Sequence, residues 1–239
     1  MSSLYSTAVH EAAHAVIAVH TARGRSHGLA KNGVVTIDKD GDTLGSIQIK
    51  NSGTGRHRYE RRGMVLLAGG IGQHRIDPQD PEDLAGNIAK DTEQIIRSMQ
   101  KLHPSQIFRD AANLLYVKSE SVEIIKQAAM RGYFKNDAYR IAHTELFISK
   151  IKWAIAIMCA EGNDVKAVQC LMAYPNSRVG ANVSEVIQAP WFKTLGELTN
   201  RTSALLDKHW REIHMLANHL LEVGTMTGPE AEQMIRIAA

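Results

Sequence analysis

The chain has 239 residues, of which 44% are hydrophobic and 22% charged, with a formal net charge of +3. These values suit one large globular domain or two small ones, and they exclude the strongly basic footprint of a nucleic-acid binder. Its two cysteines, Cys159 and Cys170, give no disulfide framework and read as buried thiols in a reducing compartment.

In chain order, residues from Leu4 to about Thr21 read as a helix that is apolar nearly all round, and such a helix is expected to be buried. It carries His10-Glu11-Ala12-Ala13-His14, the H-E-x-x-H pattern. Residues four apart on a helix differ by roughly 40° in direction and about 6 Å in height, so His10 and His14 can address one metal ion. Glu11 lies about 100° from His10, within reach of a water on that metal without ligating it. Zinc held by three protein ligands keeps a fourth position for water and lowers its pKa to about 7. A neighbouring carboxylate can then take the proton as the peptide carbonyl is attacked. Two histidines and a glutamate in so apolar a helix need partners of this kind.

Val34–Asp38 and Leu44–Lys50 read as two strands joined by Lys39-Asp40-Gly41-Asp42. The cluster Arg56, His57, Arg58, Arg61, Arg62 reads most simply as a solvated face, with a surface for an anionic partner as the lesser alternative. A helix is expected from Arg58 to about His74. Its glycines Gly69, Gly70 and Gly72 lack the Lys-Ser/Thr of a phosphate loop and are read as close helix packing. No Walker sequence occurs, so no ATPase is expected within the chain. Asp80 and Pro81 mark the start of a helix running to about Leu102, with Asp80 as its N-cap. Its apolar positions Leu84, Ile88, Ile95, Met99 and Leu102 make a stripe that position 91 completes, and position 91 is Asp. A carboxylate on a buried stripe needs a strong donor or a metal.

Further on, 106–132, 137–161 and 164–173 read as helices, followed by a break at Pro175–Ala181. Leu195 to Val223 reads as one long helix, and Thr227-Gly228-Pro229-Glu230 as a capping box opening a short last one. No leader precedes the first motif and no apolar run reaches the roughly 18 residues of a membrane span, so a cytoplasmic protein is expected.

Three residues compete to be the third metal ligand. His20 has metzincin spacing, but that pattern requires Gly where Ile17 stands; on a continuous helix His20 lies about 9 Å beyond His14. Asp164 follows Gly162-Asn163 and reads as an N-cap. Asp91 is the favoured ligand. His209-Trp210-Arg211-Glu212-Ile213-His214 looks like another metal motif but matches neither H-E-x-x-H nor H-x-x-E-H, and is read as partly exposed surface.

The order of these features resembles the peptidase domain of the FtsH family (M41). The similar stretches are Val9-His10-Glu11-Ala12-Ala13-His14-Ala15, the hairpin ending Leu44-Gly45-Ser46-Ile47, Leu67-Ala68-Gly69-Gly70, and Asp91 on a later helix. Leu205-Leu206-Asp207-Lys208, Leu216–Glu222 and Met226-Thr227-Gly228 resemble the family's end. The likeness covers roughly 5–100 and 197–237. Departures are Ala13 for Gly, Gln73 and His74 where the family is acidic, and Ile95-Ile96 for a small pair; the family's membrane anchor and ATPase module are absent from the sequence.

The expected architecture is mainly α with a small β-hairpin or sheet: a zincin-like core over 1–103 and a helical region over 104–239 completing it. The expected function is that of a zinc metallopeptidase acting on extended or unfolded polypeptides. His10, His14 and Asp91 would hold Zn2+, and Glu11 would be the general base. Leu44, Gly45, Ser46, Ile47 and Gln48 would hold substrate as an added strand. A separate ATPase or a homo-oligomer is compatible with the chain. The alternative is a non-catalytic adaptor that keeps the metal.

Overall fold

A helix of small and apolar residues, α1 (Leu4–His20), runs through the centre of the protein. The structure, a computed structural model, describes residues 4–22, 28–37, 46–47, 55–103, 151–162, 166–167 and 190–238. All positions from Ser6 to Val19 except His10 are buried, as a helix with no polar face requires. Its last carbonyls find donors: the Thr21 hydroxyl bonds to Ile17 O at 2.5 Å and Ala22 N to Val19 O. The Arg61 guanidinium donates to Ala18 O at 2.6 Å. Arg61 is therefore buried, which corrects its placement on a solvated face; only its neighbours Arg56, His57 and Arg58 are exposed.

Packed along α1 is α2 (Gly55–Ile76). The glycine run allows this, since a β-carbon on Gly72 would stand 3.0 Å from Ala13 Cβ; one on Gly70 would meet Ile88 Cδ1, beyond α1, at 3.1 Å. Close helix packing is thus the role of these glycines. Helices α3 (Pro81–Asn87) and α4 (Ala89–Leu102) follow. They replace the single helix expected over 81–102. Gly86 and Asn87, both poor helix formers, precede the break, where Ile88 adopts φ −99°, ψ 21°. Asp80 occupies the N-cap position with Pro81 behind it, but its side chain makes no capping bond. Leu84, Ile88, Ile95 and Met99 are buried as the stripe requires.

Residues 151–161 are helical and end at Gly162, which has φ +58°. The helices expected over 106–132, 137–150 and most of 164–173, and Cys170 and Asp164, lie outside the described residues. The expected Leu195–Val223 helix is two: α5 (Pro190–Lys208) and α6 (Trp210–Val223). They meet at His209, whose φ −111°, ψ 19° leaves the helical well. Gly224 closes α6 with φ +75° and its N–H on Leu220 O, a left-handed position that suits glycine alone. The last helix is α7 (Gly228–Ala238). Its capping box forms as expected, with Thr227 N donating to Glu230 and Glu230 N to the Thr227 hydroxyl.

The hairpin expected near residues 34–50 is present as β1 (Val34–Thr36) and β2 (Ser46–Ile47), paired antiparallel with Val35 opposite Ile47. A third strand not anticipated, β3 (Thr225–Thr227), pairs with β1 on its other side, giving the order β2-β1-β3. The protein is therefore mainly α with a small antiparallel sheet. One core joins the early and late helices: Val16, Leu67, Ile95, Ile155, Leu206 and Ile213 are all buried members of it. Among the described residues, no helix is long and apolar enough to cross a membrane.

Candidate metal centre

The helical spacing of His10 and His14 brings their Nε2 atoms to 3.0 Å from one another, with the two rings perpendicular. Asp91 completes the set from α4. Its Oδ2 lies 3.1 Å from His10 Nε2 and 3.1 Å from His14 Nε2. The break at Ile88 matters here, because it places Asp91 in the first turn of α4, where a helix N-terminus favours a negative side chain.

The tautomer of each imidazole follows from its other nitrogen. His14 Nδ1 stands 2.6 Å from the carbonyl oxygen of Val65, which can only accept. His10 Nδ1 stands 3.0 Å from Gln73 Oε1. Both Nδ1 atoms therefore donate outward to α2, and both Nε2 atoms face Asp91, where a metal ion can take the place of any proton they carry. Donors arranged tetrahedrally about zinc, with bonds of about 2.0–2.1 Å, stand about 3.3 Å apart. The observed triangle is within a few tenths of an ångström of that, so these residues fit a zinc ion.

Glu11 is 5% exposed, and its Oε2 has no hydrogen-bond partner among the described residues. An orphaned carboxylate oxygen in a buried position is costly, and its place beside the two histidines is where a proton acceptor would be needed. Burial raises the Glu11 pKa; His10 and His14 oppose the rise, and Asp91 adds to it. Burial disfavours a charge on His14, yet the Asp91 carboxylate, its hydrogen bond, Glu11 and the Val65 carbonyl together raise its pKa to about 9. Burial likewise works against a charged Asp91, but His14 and His10 outweigh it and hold that carboxyl well below the usual range.

Gly69 lies against both rings and leaves no room for a side chain. Cys159 is buried and packs beside Gly70; burial and the Asp91 charge push its thiol up to about 12, so it is inert.

The other residues expected at a site separate cleanly. His20 is not part of this centre; it bonds to Glu212 on α6. Of 209–214, read as partly exposed surface, Arg211 is exposed and Trp210 and His214 are half-buried, while His209, Glu212 and Ile213 are buried; His214 Nδ1 shares a hydrogen bond with Tyr5. Ser46 and Ile47 form β2, an edge strand among the described residues, whereas Leu44, Gly45 and Gln48 lie outside them. Sequence reasoning missed the Val65 carbonyl, which no side-chain pattern can signal, and noted Gln73 only as a departure. No family model matches the chain, and no curated protein matches it.

Proposed function

We propose that the protein is a zinc-dependent metallopeptidase that hydrolyses peptide bonds in extended or unfolded polypeptides. One observation carries this reading: two outward-donating imidazoles and a carboxylate present an equal-sided triangle of donor atoms beside a buried, partnerless glutamate oxygen. His10, His14 and Asp91 would hold the ion. When bound, zinc supplies an electrophilic centre that polarises a carbonyl and acidifies a water.

The chain's own groups perform the rest. Gln73 and the Val65 carbonyl fix the two rings. Glu11 Oε2, with no competing hydrogen bond, accepts the proton of the attacking water and returns it to the leaving amine. The raised pKa of Glu11 in the protein alone comes from desolvation, and a cation beside it would favour its charged form. An extended substrate would add by backbone hydrogen bonding to β2, the edge strand among the described residues. The likeness to the FtsH-family peptidase domain supports the same assignment through the same residues.

The rival reading is a metal-holding adaptor. The neutral Gln73 on His10, where the family is acidic, favours it, because an amide raises ligand basicity less than a carboxylate does. Intact Glu11 favours the enzyme, since a structural site needs no base. Purified protein assayed against a disordered protein and a peptide library decides between them. Zinc-dependent cleavage that is abolished in Glu11→Gln, with zinc still bound, is expected. Absence of cleavage by the wild type supports the adaptor.

A further inference from the structure

At the far end of α1 lies a second cluster. His20 is the last residue of the helix, and its Nε2 is 2.5 Å from Glu212 Oε2. The other oxygen of the same carboxylate, Oε1, is 2.8 Å from His209 Nδ1. The side chains of His209 and Glu212 are 9% and 7% exposed, and that of His20 is 22% exposed. The three donor atoms all lie within 4.8 Å of one another.

The local backbone builds this arrangement. His209 stands at the junction of α5 and α6, outside the helical well, and that turn brings its Nδ1 onto Glu212 three residues on. Glu212 then faces across to α1, 192 positions away in sequence. The two imidazoles are stacked with centroids 3.6 Å apart and planes 20° from parallel. One divalent cation can take a nitrogen from each ring together with an oxygen of the carboxylate that both rings already face.

We propose that His20, His209 and Glu212 form a second metal site, one that takes zinc or a similar borderline divalent ion. Two imidazole nitrogens and one carboxylate oxygen are the donor set such ions prefer, with a water completing the coordination. Converging both lone pairs requires each ring to turn about its Cβ–Cγ bond, a torsion with a broad well. Six residues of helix separate His20 from His14, about 9 Å of rise. That is far beyond the roughly 3.5–4 Å of a two-metal catalytic centre. The site is therefore structural: it pins the end of the helix bearing His10 and His14 to α6. The inference does not depend on the peptidase reading.

The test is metal stoichiometry after exhaustive dialysis against metal-free buffer, with zinc added back. Wild type is expected to hold two zinc ions per chain. His10→Ala/His14→Ala is expected to keep one, and adding Glu212→Gln should remove it. Zinc should raise the Tm of the double variant and leave that of the triple variant unchanged. Where Glu212→Gln does not fold, His20→Gln, at the more exposed ligand, takes its place in the triple variant. No zinc and no Tm response in His10→Ala/His14→Ala overturns the second site and leaves the first standing. Zinc retained after loss of Glu212 or His20 also overturns it. One zinc in both wild type and the double variant supports the second site and refutes the first.

Discussion

Gly69 faces His14 so closely that a β-carbon on it would stand 2.5 Å from the ring's Cε1 and Nε2, and 2.7 Å from His10 Cε1. Helix α2 thus forms one wall of the candidate metal centre with bare backbone. A methyl group there must displace both imidazoles, and misplacing zinc ligands by about 1 Å is enough to cost most of the affinity. Gly69→Ala should weaken zinc binding at least tenfold. Gly72→Ala is the control: its β-carbon would meet Ala13 Cβ at 3.0 Å, with Val9 as its next neighbour. It should lower Tm while leaving zinc affinity unchanged. Equal zinc affinity in Gly69→Ala and wild type, measured by chelator competition, would refute this role.

Helical spacing made part of this centre readable in the sequence. His10 and His14 share a face because they are four apart, and Asp91 betrayed itself as a carboxylate on an otherwise apolar stripe. Periodicity reads one face of one element; it does not say what lies across from that face. The Val65 carbonyl behind His14, the Gly69 wall and the His20–Glu212 pair are all relations between elements distant in sequence. The breaks at Ile88 and His209 escaped detection for a related reason. Apolar periodicity continues through both, so only the backbone torsions reveal them. The strand Thr225–Thr227 was hidden because three residues carry too little pattern, and its pairing with β1 supplies the order that its own sequence lacks.

Glu11→Gln should separate stability from activity. Burial raises the folded pKa of Glu11 above its ordinary 4.5. A raised carboxyl pKa costs the folded state nothing below the unfolded pKa, and the penalty grows as pH rises past it. In metal-free protein, Glu11→Gln should therefore be more stable than wild type at pH 7, with the difference vanishing near pH 4. Denaturant unfolding at both pH values measures it. A less stable Glu11→Gln at pH 7 would mean that the carboxylate is structurally anchored, contrary to its lone Oε2.

Substrate range follows from the proposed mode of binding. An extended backbone can be laid along β2 only if the substrate is already open. Global opening of a typical domain costs about 5–15 kcal/mol, so its cleavable fraction is minute. A casein-like disordered protein should be cleaved without ATP, and a stable folded domain should resist in proportion to its stability. Rapid internal cleavage of the folded domain by purified protein, or ATP dependence without a partner, would refute this.

Zinc affinity should depend on pH through His14. In metal-free protein its pKa is raised from 6.5 to about 9, so the His14–Asp91 interaction is fully present below about pH 6.5 and is lost as pH rises through about 9. Asp91, whose pKa is depressed, makes its contribution above about pH 4 and loses it in stronger acid. The pair therefore stabilises metal-free protein most between about pH 4 and 6.5. Zinc needs the Nε2 lone pair that the extra proton occupies, so each ion bound must release that proton. Its Kd for the His10–His14–Asp91 centre should fall about tenfold per pH unit up to about pH 9, then level off. Asp91→Asn removes the charge that chiefly raises the His14 pKa, so the variant should bind zinc more weakly and with a shallower pH slope. The measurement is chelator competition at pH 6, 7 and 8 in a Glu212→Gln background, which leaves this centre alone to bind. An affinity independent of pH would show that His14 carries no proton for zinc to displace.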